Sequence, residues 1–192
     1  MCKTLVLLFH PNLARSTANA ALAAAASSLP AVGLRDMQAA YPDGRISMEA
    51  DGATEAARLL AAERIVLQYP VQWYATPPLM KAWLDAVLTR MVYIHAGTEG
   101  RALRGKPLMV AATVGNLPEA YTPGGANMFT MEALLAPLRA TAHRCGLAWH
   151  EPFILYRANR LGAAELENAA AAYAARLRAF LHSEPAHVAV EG

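Results

Sequence analysis

Four stretches of the sequence carry residues whose types suit ligand chemistry. The first, HPNLARSTAN, follows an apolar run and places His10 at its end, then Ser16, Thr17 and Asn19 around a helix start. Unpaired N–H groups and the partial positive charge of a helix N-terminus suit a phosphate, and the two hydroxyls add hydrogen bonds. An N-cap by Ser16 and a structural turn histidine at 10 explain the same residues without a ligand. The second, QYPVQWYATPP, sets Val71, Gln72, Trp73 and Tyr74 on a short loop stiffened by Pro70, Pro77 and Pro78. Its N–H groups can face the acceptors of a planar heterocycle while an aromatic ring lies against it. Packing of both rings into the core or a subunit interface is the competing account. The third, TVGN, puts Thr113, Val114, Gly115 and Asn116 where backbone can approach a ligand closely. The fourth places the Tyr121 hydroxyl on the long loop that follows, as a candidate catalytic donor. That loop also reads as an ordinary connection in which Gly124-Gly125 only makes a turn.

Composition narrows the partners. The 192 residues suit a single domain over 1–182, with a Pro-containing tail, SEPAHVAVEG, over the last ten, 183–192. Net charge is +2 with scattered Lys and Arg, and the densest group, RALRGK, reads as a solvated turn or a small binding patch. A nucleic-acid footprint is more concentrated than this. Cys2 and Cys145 form no CxxC, and the six histidines show no HExxH. Reduced thiols in a cytoplasmic protein are therefore expected, with neither disulfide nor metal site. No apolar stretch reaches the ~18–20 residues of a membrane span. The short run Leu5 to Phe9, ending at His10-Pro11, is better read as a first strand than as a signal peptide.

The elements that must position these stretches alternate. Strands are expected at 3–9, 32–36, 64–69, 107–113 and 152–156. Helices are expected at 16–28, 53–62, from 77 onward, at 128–145 and at 163–181. The third of these is capped by Thr76 with Pro77 at its first position, and Pro137 kinks or restarts the fourth. Leu79, Met80, Trp83, Leu84, Val87 and Leu88 make one apolar stripe. Strands apolar on both faces, alternating with helices, predict an α/β three-layer sandwich on a five-stranded parallel sheet of order 2-1-3-4-5. In such sheets ligands sit beyond the carboxyl ends of the strands where the order reverses. Flavodoxin, with FMN between strands 1 and 3, is a standard example. The candidate stretches follow strands 1, 3 and 4.

HPNLARSTAN, QYPVQWYATPPLMKAWLDAVL, TVGN, YTPGGANMFTMEALLAPL and ATAHRCGL together resemble the flavodoxin-like NAD(P)H:quinone oxidoreductases. The likeness covers most of residues 3–156. It is nearest to the ancillary subunits of glutathione-gated potassium-efflux antiporters and to related general stress proteins. It implies FMN, or FAD in some branches, bound between the subunits of a homodimer. It also implies two-electron hydride transfer from NAD(P)H to flavin N5 and on to a quinone. By the same resemblance, His10, Ser16, Thr17 and Asn19 match phosphate and ribityl contacts. Val71, Gln72, Trp73 and Tyr74 match the loop against the isoalloxazine, and Thr113, Val114, Gly115 and Asn116 its pyrimidine end. Two departures stand out. Family members often carry Thr-Thr-Gly-Gly where this chain has Thr-Val-Gly-Asn. No histidine follows Tyr121, where mammalian relatives have a Tyr/His pair; Asn127 lies nearest, and an amide cannot relay a proton as imidazole does. The alternative implied by the likeness is a flavin-binding regulatory subunit docked on a membrane antiporter.

Overall fold

The computed structural model describes residues 3–182. The expected tail at 183–192 lies outside them. Six strands, β1 (Thr4–Leu8), β2 (Val32–Asp36), β3 (Arg64–Pro70), β4 (Pro107–Thr113), β5 (Ala148–Trp149) and β6 (Phe153–Leu155), build one sheet. Its order is β2-β1-β3-β4-β5, with β6 also on β4, and every pairing is parallel. The expected fifth strand is thus two short pieces on one edge. Pro107 pairs with Ala148, but Ala111 pairs with Phe153, so one extra residue bulges out between them. Pro152 sits in that interval, where an edge tolerates a missing N–H.

The helices are α1 (Thr17–Ser27), α2 (Met37–Ala40), α3 (Gly52–Ala61), α4 (Pro78–Trp83), α5 (Arg101–Leu103), α6 (Met131–Arg144) and α7 (Ala163–Leu181). Side chains alternate across each strand, so the sheet has two cores. Leu7, Phe9, Leu67, Tyr69, Val110 and Ala112 face Leu59, Trp83 and Leu135 of α3, α4 and α6. Val6, Val66, Met109 and Ala111 face Leu22 of α1 and Tyr173 and Leu177 of α7. β4 is buried at all seven residues, which explains why it reads as unbroken apolar sequence.

Three helix boundaries differ from expectation. Pro77, not Thr76, is the N-cap of α4, with Pro78 at the first helical position. A residue before proline is driven out of the helical region, so Pro78 forces Pro77 to stay extended. From Leu84 the chain does not stop; it continues through wide π-type turns, Leu84–Leu88, Arg90–Ile94 and Ala96–Gly100, into α5. α6 starts at Met131, because the Thr130 hydroxyl accepts the Ala133 N–H and caps it there; it then runs unbroken through Pro137. α2, absent from the expected elements, is held by Asp36, whose carboxylate accepts from the N–H groups of Gln38 and Ala39.

Candidate flavin site

β1, β3 and β4 all end at one side of the sheet, and their following loops form a cleft of about 300 Å³. Of the expected residues, His10, Ser16, Thr17, Asn19, Val71, Thr113, Val114 and Gly115 line it. Gln72, Trp73, Tyr74, Asn116 and Tyr121 do not. Arg15, Pro70, Ala158 and Asn159 line it as well and were not expected.

One end of the cleft suits an anion. Ser16 is the N-cap of α1, its hydroxyl accepting the Asn19 N–H at 3.2 Å, as the ligand-free account of that serine requires. The first N–H groups of the helix, those of Thr17 and Ala18 among them, lack intrahelical acceptors. Arg15 ends the short turn Leu13–Arg15 beside them. His10 is half-buried, and that burial holds its imidazole below the ordinary histidine pKa. Its Nδ1 accepts the Asn12 N–H at 3.1 Å, so the neutral ring carries its proton on Nε2 and acts there as a donor.

The other end is set by β4. Thr113 is almost enclosed, and its Oγ1 accepts from Asn19 Nδ2 at 2.9 Å. Asn19 is therefore turned inward, toward the sheet. Its own Oδ1 is enclosed with no partner among the described residues. Val71 and Val114 are tied into the sheet end by their N–H groups, to Thr113 O and Leu155 O. A Cβ on Gly115 would meet Asn159 only at ordinary contact distance, 3.6 Å, so this glycine keeps the wall thin but is not forced by a clash.

The aromatic pair is neither in the core nor in the cleft. Gln72 and Ala75 exchange both backbone hydrogen bonds, at 3.0 Å each, around Trp73 and Tyr74, with φ of 47° and 65°. That is a type I′ hairpin turn, a geometry for which Asn-Gly is the usual pair. Two bulky residues in the left-handed region are strained, by about 1–3 kcal/mol each. The turn holds Trp73 out, 93% exposed. Tyr74 lines a second hollow of about 330 Å³ with Thr76, Lys81 and α6, and its hydroxyl donates to Asn127 Oδ1 at 3.3 Å.

Tyr121 is buried beneath the loop that follows β4, tilted against Tyr156 at 5.7 Å between ring centres. Burial raises its pKa. The loop is closed tightly: a Cβ on Gly125 would come within 2.6 Å of the carbonyl oxygens of Ala120 and Glu119. Among the described residues no three His, Cys, Asp or Glu side chains gather as a metal site would require.

The cleft has N–H donors and a cation at one end, and a buried hydroxyl held by an under-satisfied amide at the other. Comparisons with known proteins give the family. The chain is 38% identical over 171 residues to the uncharacterized NAD(P)H oxidoreductase YdeQ of Bacillus subtilis (strain 168), covering 89% of this chain and 84% of that one. It is 39% identical over 153 residues to the glutathione-regulated potassium-efflux system ancillary protein KefF of Klebsiella pneumoniae (strain 342), covering 79% and 81%. A crystal structure of general stress protein 14 from Treponema denticola, in complex with FMN, superposes with a TM-score of 0.81 at 32% identity, covering 92% and 98%. The model of the flavodoxin-like-fold family matches residues 2–181, and this chain belongs to that family.

Proposed function

We propose that this chain is a flavin-dependent NAD(P)H:quinone oxidoreductase that takes FMN, with FAD as the second candidate, and works in the cytoplasm as a homodimer. The observation that carries the reading is the cleft itself, which gathers an anion-binding helix start, a neutral histidine donor and the end of β4 at the reversal point of the sheet. The relatives named as an oxidoreductase and as an FMN complex support it. Bound flavin supplies the two-electron hydride chemistry between a nicotinamide donor and a quinone.

The residues have distinct tasks in this reading. The amides at the start of α1, with Thr17 and Arg15, hold the phosphate. The His10 Nε2–H donates along the same wall. Pro70 and Val71 form the floor, and Thr113 with the 114–116 backbone holds the far edge. Trp73 and Tyr74, with Gln72 behind them, wall the open side and exclude water once a second copy covers them. Tyr121 holds the loop that closes over this edge.

A regulatory reading has one specific support, the relative named as an ancillary protein of a potassium-efflux system. Here flavin state is read out by docking on a membrane antiporter. Among the described residues no helix is long and apolar enough to cross a membrane. The deciding experiment purifies the protein, releases any flavin and identifies it by chromatography, then measures NAD(P)H oxidation with a quinone. Released FMN and steady turnover by the isolated protein are expected. A colourless protein that takes up neither added FMN nor FAD overturns the flavin reading. Flavin without turnover moves the assignment to the regulatory role.

A further inference from the structure

A line of buried polar groups runs along the face of the sheet that α1 and α7 cover and ends in the cleft. It starts on α7, where the Tyr173 hydroxyl donates to Gln68 Oε1 at 3.2 Å. Gln68, on β3, donates from Nε2 to the backbone oxygen of Asn19 at 3.2 Å. Asn19, on α1, donates from Nδ2 to Thr113 Oγ1 at 2.9 Å. Tyr173 and Gln68 are fully enclosed, Asn19 is 2% exposed and Thr113 3%. Four elements thus meet in one chain of hydrogen bonds whose last oxygen lies at the cleft.

The first two links fix the Gln68 amide and the backbone that carries the Asn19 side chain. Burial keeps the Tyr173 phenol protonated, so it remains a donor and fixes which end of the Gln68 amide faces it. The Gln68 NH2 then points to Asn19 and anchors the first turn of α1. A threonine hydroxyl has one proton to give. With Oγ1 accepting from Asn19, that proton has no acceptor among the described residues, and the open direction is the cleft. The arrangement is kept at a cost. Asn19 Oδ1 is buried without a partner among the described residues, a cost that a leucine at 19 would not incur.

We infer that Asn19 is a positioning residue: it fixes the Thr113 hydroxyl as a hydrogen-bond donor into the cleft, aimed at an acceptor edge of the bound cofactor. The inference rests on the flavin reading and replaces the expected role of Asn19 as a phosphate contact. A donor at that edge favours the form of the cofactor with more negative charge, which is the reduced one. With the amide turned the other way, Thr113 would offer the cleft only lone pairs, and the preference would reverse.

The test compares wild type, Thr113→Val, Thr113→Ser, Asn19→Leu and the double variant Thr113→Val/Asn19→Leu, each loaded with FMN. The readout is the midpoint potential at fixed pH against a reference dye. Thr113→Val and Asn19→Leu are each expected to lower it by about 30 mV, a tenfold larger loss of affinity for reduced than for oxidised flavin in a two-electron couple. The double variant is expected to add little, and Thr113→Ser to keep the wild-type value. If Asn19→Leu does not fold, Asn19→Ser serves, because its side chain is too short to span to Thr113. A wild-type midpoint in the Asn19 variant, or a raised one, overturns the assignment while leaving the flavin reading intact. A wild type that takes up neither FMN nor FAD overturns both.

Discussion

Tyr121 shows how far residue type alone carries. It is a phenol on a long loop near the sheet end, and that suggested a donor to the reacting groups. Its ring is buried against Tyr156, off the cleft lining. Tyr121→Phe should therefore act on stability first. Losing a part-buried hydroxyl costs about 1 kcal/mol, or roughly 2–4 °C in Tm for a chain of this size. NAD(P)H:quinone turnover should stay within about threefold of wild type, since general acid catalysis contributes ~100-fold or more where it operates. A hundredfold loss of turnover with unchanged Tm would place the phenol at the reacting atoms after all. The cleft residues were more legible than Tyr121, because His10 and Val71 come just after strand ends, Thr113 closes β4 and Thr17 opens the helix that follows β1. Arg15 carried no signal of its own within HPNLARSTAN, and Ala158 and Asn159 follow the fifth strand position, which the switch-point rule does not point to. The inward turn of Asn19 depends on what β4 offers across the sheet, and no local pattern reveals that.

The elements repeat this division between local and non-local causes. Strand and helix order was readable from apolar period and punctuation, since the central strands β1, β3 and β4 are buried on both faces. The bulge between β5 and β6 was not, because only the register against β4 defines it. Nor was the buried carboxylate of Glu55, which collects Arg35 at 2.9 Å, the Tyr41 hydroxyl at 3.0 Å and the Trp83 indole N–H at 3.3 Å from three different segments. Burial and that carboxylate push the Tyr41 pKa up to about 12, so it donates throughout the physiological range. The Trp73-Tyr74 turn yields a prediction at this scale. Asn tolerates a left-handed backbone and Gly is indifferent to it, so Trp73→Asn/Tyr74→Gly relieves the strain of an I′ turn. Against that stands about 0.5–1 kcal/mol of extra unfolded-state entropy for the glycine. A net gain of about 1 kcal/mol, or a rise of roughly 2–4 °C in Tm, is expected, together with weaker FMN binding. Thermal unfolding of the apo protein reads the first and flavin fluorescence titration the second. A lowered Tm would mean that the aromatic pair is held by contacts stronger than the strain it bears.

At the scale of the whole molecule, five of the seven large exposed apolar residues among the described ones are gathered together, the other two being Tyr93 and Ile94 on the turn Arg90–Ile94. Trp73, Tyr74, Leu117, Met128 and Phe129 are between 47% and 93% exposed, and all lie on the two loops beside the cleft. Met128, like Trp73 and Tyr74, has a positive φ, 63°, so the backbone is held out of its comfortable region to keep these side chains outward. A solvated loop gains nothing from that arrangement, whereas a face covered by a second copy gains the transfer free energy of each side chain, roughly 1.5–3 kcal/mol for a methionine or phenylalanine. A stable interface needs about 800 Å² from each partner, and the two loops supply the apolar centre of such a patch. Sedimentation of wild type should accordingly give a dimer. Met128→Glu, which puts a carboxylate in that centre without touching the cleft lining, should give a monomer at micromolar concentration. If the second copy closes the open side of the flavin site, FMN affinity should fall when the dimer is lost, and that loss should shrink as protein concentration rises. A Met128→Glu protein that remains dimeric would move the interface elsewhere. A monomer that binds FMN as tightly as wild type would leave Trp73 and Tyr74 facing the substrate rather than a partner.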